Sequence, residues 1–131
     1  AYFSFTENID NDKKITIYNK GRMSRDMTYI DDITNGIVSS INYIDTLDPH
    51  SHEIFNLGNE NPISVMQLVE FISKSLGKSY INEFIDLNTE VDITYANIDK
   101  AKKYLGYKPQ TSFETGMNNF ISWYQNYFKE N

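Results

Sequence analysis

The run Ile15-Thr16-Ile17-Tyr18-Asn19-Lys20-Gly21-Arg22-Met23-Ser24-Arg25-Asp26-Met27-Thr28-Tyr29-Ile30-Asp31-Asp32-Ile33 sets the organisation of the chain. With Lys14 ahead of it, its start alternates polar and apolar side chains, the period-2 signature of a strand over 14–18. Asn19-Lys20-Gly21 is a turn signal, since asparagine and glycine tolerate positive φ. Residues 25–30 read as a second short strand. Asp31 or Asp32 then offers an N-cap carboxylate to a helix whose Ile33, Ile37, Ile41 and Ile44 share one face.

The same run holds most of the basic charge of this half of the molecule. Lys13, Lys14, Lys20, Arg22 and Arg25 lie close together, Arg22 and Arg25 are the only arginines, and no Lys or Arg occurs from Asp26 to Ser73. The chain as a whole is acidic, with 12 Lys plus Arg against 18 Asp plus Glu and a net charge of -6. Two guanidinium groups concentrated in an acidic protein suit a localised anion, because the planar fork matches phosphate or carboxylate bidentately. A solvated loop between strands accounts for the charge alone equally well.

Outward from this run, residues 1–7 read as the tail of a helix. Asp48-Pro49-His50-Ser51-His52 is a loop, followed by a strand at 53–57 and a turn at 58–62. Ser64 with Gln67 forms a capping box for a helix through Leu76, with Val65, Leu68, Val69, Ile72 and Leu76 as its buried stripe and Gly77 as its stop. Strands follow at 80–87 and 91–95, then a helix from the cap Asn97 to Leu105. Thr111 with Glu114 caps a last helix whose Phe113, Met117, Phe120, Ile121, Tyr124 and Phe128 are core, widened by Trp123 and Tyr127. The result is one α+β unit over residues 1–131.

Composition narrows the function classes. With 131 residues, 40% hydrophobic and 15% aromatic, the chain has ample material for one packed core. It lacks an apolar run long enough to span a membrane, and its pI near 4.8 argues against a nucleic-acid partner. There is no cysteine, so no disulfide framework or thiolate chemistry exists, and a reducing, cytoplasmic setting fits.

Two patterns resemble catalytic motifs without the context they need. His50-Ser51-His52-Glu53 supplies two histidines but no third, so no metal site is expected. Tyr104-Leu105-Gly106-Tyr107-Lys108 has Tyr-x-x-x-Lys spacing, yet Gly106 breaks the helix that would put both on one face. The six glycines stand ten or more residues apart, so no phosphate-cradling glycine loop can form.

The run from Ile15 to Ile33 resembles one stretch of the extended short-chain dehydrogenase/reductases, in particular the UDP-glucuronate 4-epimerase-like branch of the epimerase/dehydratase family. Phe55-Asn56-Leu57-Gly58-Asn59, Leu105-Gly106-Tyr107-Lys108-Pro109 and the ending from Gly116 to Tyr127 keep that family's order. The resemblance covers nearly the whole chain but only the C-terminal part of such enzymes. It implies a small sugar-nucleotide-binding domain without the NAD-binding Rossmann domain and the catalytic Tyr and Lys. The start at Ala1, without Met or signal peptide, then reads as a start inside a larger enzyme.

The resemblance further implies a UDP-sugar site. Tyr18 matches an aromatic that stacks on uracil, with Thr16 and Tyr18 backbone groups on the base. Arg25 matches the pyrophosphate-binding arginine, while Arg22 stands where relatives vary. Thr89-Glu90 replaces the usual Gly-Asp, leaving Glu90 to reach a ribose hydroxyl; Leu87 replaces an arginine found in some epimerases, and Asn97 keeps a capping role. For the intact protein the resemblance implies an NAD-dependent nucleotide-sugar epimerase acting at C4 through a 4-keto intermediate, commonly homodimeric. A 4,6-dehydratase, a UDP-glucuronate decarboxylase or a non-enzymatic binding module is the alternative. No catalytic residue, cofactor or turnover is expected of this chain alone.

Overall fold

Helices and two small sheets alternate in the computed structural model, which describes residues 1–87 and 91–129. The order is α1 (Tyr2–Asp10), β1 (Lys14–Tyr18), a single 3₁₀ turn (Asn19–Gly21), β2 (Ser24–Asp26), α2 (Ile30–Ile44), β3 (Pro62–Ser64), α3 (Val65–Leu76), β4 (Ile81–Ile85), β5 (Ile93–Thr94), α4 (Asp99–Leu105) and α5 (Phe113–Lys129). β1 and β4 pair in parallel, with Lys14 opposite Ile81 and Tyr18 opposite Ile85. β2 is the centre of the other sheet, antiparallel to β3 and parallel to β5. The architecture is α+β, as the sequence implies.

One core joins α1, β1, α3 and α5. Ile9, Ile15, Ile17, Leu68, Val69 and Ile72 are fully buried, and Phe113, Met117 and Ile121 close over them. Each such aliphatic side chain contributes roughly 1.5–3 kcal/mol by leaving water. A second cluster gathers Ile98, Ala101 and Tyr107 with the half-buried Phe55 and Leu57. α3 is built as its sequence dictates: Ser64 Oγ accepts the Gln67 N–H, the Gln67 side chain accepts the Ser64 N–H, and Gly77 ends the helix at φ 65°.

Several sequence expectations change. The strand at 25–30 is confined to Ser24–Asp26, because Asp26 stands opposite Pro62, which has no N–H to continue the ladder. The segment 53–57 joins no sheet among the described residues. Neither Asp31 nor Asp32 caps α2; Tyr29 holds the N-cap position without a side-chain bond. Ser112, not Thr111, caps α5, its Oγ accepting the Thr115 N–H at 3.1 Å. Trp123, Tyr127 and Phe128 are exposed rather than core, as are Ile37, Ile41 and Ile44 on α2. Ile98, not Asn97, holds the N-cap position of α4; Asn97 stands one residue earlier, its Oδ1 accepting the Asp99 N–H at 3.0 Å.

Tyr107 donates its hydroxyl to the Gly58 carbonyl at 3.0 Å. Burial pushes its phenol pKa up from the ordinary value, and the Asp32 and Asp26 charges add to the rise. A pKa raised by folding favours the folded state below the ordinary phenol value and withdraws that support as pH rises through it. The urea midpoint is therefore expected to fall above pH ~10, and to fall less steeply in Tyr107→Phe.

Candidate functional site

The parallel pair β1–β4 and the centre of the second sheet meet at the turn after β1. Thr16 and Tyr18 are two residues apart on β1 and so share a face. The Thr16 hydroxyl donates to Glu83 Oε1 at 2.9 Å, and Lys14 donates to Glu83 Oε2 at 2.6 Å. These two bonds hold the Glu83 carboxyl below its ordinary pKa. One of the clustered basic residues is thus already neutralised by a partner. Tyr18, at the end of the strand, keeps 41% of its surface open, a free aromatic face at the sheet edge.

The turn that follows is left-handed at three successive residues, Asn19 (φ 48°), Lys20 (φ 55°) and Gly21 (φ 70°). For residues other than glycine this conformation costs roughly 1–2 kcal/mol each. Asn19 offsets part of it, its Oδ1 accepting the Leu87 N–H at 2.6 Å. That bond fastens the chain leaving β4 to the chain leaving β1. Arg22 follows the turn and is exposed.

Arg25, on β2, is half-buried and turned toward backbone. Its Nη1 donates to the Ser24 and Val91 carbonyls, both at 2.9 Å. Leu87 is fixed at Asn19 and Val91 at Arg25, so the ends of the intervening connection are brought to the site. Glu90 and Thr89 lie outside the described residues. Of the sequence-derived set, then, Thr16 and Tyr18 share one strand face, while Arg22 and Arg25 follow that strand beyond the tight turn, Arg25 on β2 of the other sheet.

Sequence reading missed Asp26 and took Asp32 only for a possible N-cap. Asp26 accepts backbone N–H groups from Asn59, Glu60 and Ala96. Asp32 is 5% exposed and accepts the N–H of Gln110 and Thr111, each at 3.0 Å. Their only sequence signal was an acid inside a strand and an acid on a helix where no base stands within reach. The motif look-alikes resolve simply: Gly106 (φ 63°) ends α4 before Lys108, and His50 and His52 sit in irregular backbone. An apolar cavity of about 690 Å³ opens beside β2, between residues 26–30 and the α5 side chains Phe113, Phe120 and Trp123. Among the described residues no helix is long and apolar enough to cross a membrane, and no three His, Asp or Glu side chains gather within reach of one metal ion.

Residues 3–120 match the family described as GDP-mannose 4,6 dehydratase. UDP-glucuronate 4-epimerase 1 of Arabidopsis thaliana is 40% identical over 144 residues, covering 100% of this chain and 34% of that protein. Protein CapI of Staphylococcus aureus is 36% identical, covering 99% of this chain and 43% of its own length. The crystal structure of UDP-glucuronic acid 4-epimerase from Bacillus cereus with NAD superposes at a TM-score of 0.84 and 28% identity, over 100% of this chain and 40% of that one. The same enzyme with UDP-glucuronic acid and NAD also gives a TM-score of 0.84. The chain spans less than half the length of these relatives. It belongs to the GDP-mannose 4,6 dehydratase family, within the extended short-chain dehydrogenase/reductase epimerases and dehydratases.

Proposed function

We propose that residues 1–131 form the UDP-sugar-binding domain of an NAD-dependent nucleotide-sugar C4 epimerase, with UDP-glucuronate or a UDP-hexose as substrate. The observation that supports this reading is the left-handed turn after β1, with Tyr18 open to solvent before it and Arg22 and Arg25 following it in the chain. An aromatic face suits a uracil ring, and a half-buried guanidinium suits a diphosphate. Thr16 and Glu90 are assigned to the base and the ribose. The Bacillus cereus relative bound to UDP-glucuronic acid supports the choice of ligand.

In this reading the domain holds the nucleotide end, so that binding energy remote from the reacting carbon orients the sugar. NAD supplies hydride chemistry, but this chain's residues do not fit it. The glycines are ten or more residues apart, so the sequence holds no glycine-rich loop to cradle a pyrophosphate. We therefore assign NAD to the part of the relatives' length that this chain does not span, and no catalytic residue to this chain. A homodimeric, cytoplasmic enzyme completes the reading. A 4,6-dehydratase is the second one, favoured by the description of the matching family.

Calorimetric titration with UDP tests the site. Arg25→Ala removes a charge-assisted contact and is expected to weaken binding about 10- to 100-fold. Tyr18→Ala is expected to weaken uridine and UDP alike, having lost a stacking face. Binding unchanged in both variants would remove the basis of the assignment.

A further inference from the structure

Arg25 and Asp26 are successive residues of β2, so their side chains leave opposite faces of the strand. Arg25 reaches the Val91 carbonyl, just before β5. Asp26 reaches the far end of the same segment and one other loop. Its carboxylate accepts the Asn59 N–H at 3.1 Å (Oδ1) and 3.0 Å (Oδ2), the Glu60 N–H at 3.1 Å and the Ala96 N–H at 3.4 Å. The fit leaves no slack. A Cβ on Gly58 would lie 2.6 Å from Asp26 Oδ2 and 2.6 Å from the Ala96 Cβ. Between Val91 and Ala96, Ile93 and Thr94 pair with Ser24 and Arg25.

Segment 91–96 therefore receives the Arg25 guanidinium at one end and is fastened by the Asp26 carboxylate at the other. A two-residue strand has too few ladder bonds to hold that register unaided. We propose that Asp26 is a positioning residue for the anion site: it fixes segment 91–96 against β2 and so aims Arg25 at a diphosphate, without touching the ligand. This rests on the UDP reading above and adds a group that acts through Arg25.

Uridine and UDP are titrated into the wild-type chain, Asp26→Asn and Asp26→Glu, with folding followed by circular dichroism. Asparagine offers one acceptor oxygen and turns an NH₂ toward donors. The expected result is a loss of about tenfold in UDP affinity with uridine affinity within about twofold of wild type, since uridine carries no phosphate. In an Arg25→Ala background the same substitution is expected to add nothing, because coupled residues fail to add. If Asp26→Asn does not fold, Asp26→Glu carries the comparison, its longer side chain shifting segment 91–96 while the charge remains. Equal losses for uridine and UDP, additivity with Arg25→Ala, or unchanged UDP affinity each overturn the proposal. A wild-type chain that binds no UDP overturns the UDP reading and this one with it; UDP binding that survives Asp26→Asn overturns this one alone.

Discussion

Leu68→Ala is expected to lower the unfolding free energy by about 3–5 kcal/mol, read as a reduced urea midpoint at unchanged slope. Leu68 lies on α3 at the meeting of α1, β1 and α5 and has no accessible surface. Its truncation removes apolar contacts within that cluster and leaves a cavity. The neighbours cannot collapse into it easily. Ile15 and Ile17 are held by the β1–β4 ladder, and Ile72 sits one turn along a helix fixed by a capping box and a left-handed glycine. Against a typical total of about 5–15 kcal/mol, this one substitution removes a large share of the stability. Leu68→Met, which keeps the volume, is expected to cost less than about 1.5 kcal/mol.

Asp32→Ala is expected to cost about 2–4 kcal/mol by the same measurement, and Asp31→Ala less than about 0.5 kcal/mol. The two residues are adjacent acids in the first turn of α2, yet their surroundings differ. Asp31 is exposed, whereas Asp32 turns inward and takes the N–H groups of Gln110 and Thr111, ordering the entry to α5. Removing it leaves the Gln110 and Thr111 N–H groups without their acceptor and loosens the entry to α5. Equal effects from the two alanines would instead point to a shared helix-dipole role.

Local signals in the sequence proved legible wherever both partners of an interaction lie within a few residues. The Ser64–Gln67 box spans three positions and the Gly77 stop follows directly, so α3 could be read in full. The alternation in 14–18 was likewise sufficient for β1. Asp26 and Asp32 were opaque for the opposite reason. Their partners lie 33 to 79 residues away, and no periodicity encodes them. The segment 53–57 carries a strand pattern, but a strand exists only where another chain segment takes its N–H and C=O groups. Isoleucines 37, 41 and 44 show the converse: their helical spacing was correct, while their exposure depends on what else packs nearby. At the candidate site, Arg22 and Arg25 stood out by composition, and Tyr18 drew attention only through family resemblance. The left-handed turn that separates Tyr18 from the two arginines was signalled by Asn19 and Gly21 alone.

The pairing of β1 with β4 joins residues 67 apart in sequence, as the Thr16–Glu83 bond shows. During synthesis at roughly 5–20 residues per second, β1 emerges about 3–13 s before its partner strand has been made. Through that interval Ile15 and Ile17 have no sheet neighbour, and the strand edge is open to other nascent chains. Expression at high rate therefore loads the cell with unpaired β1, and slower synthesis or a holding chaperone is expected to raise the soluble yield more than any surface substitution.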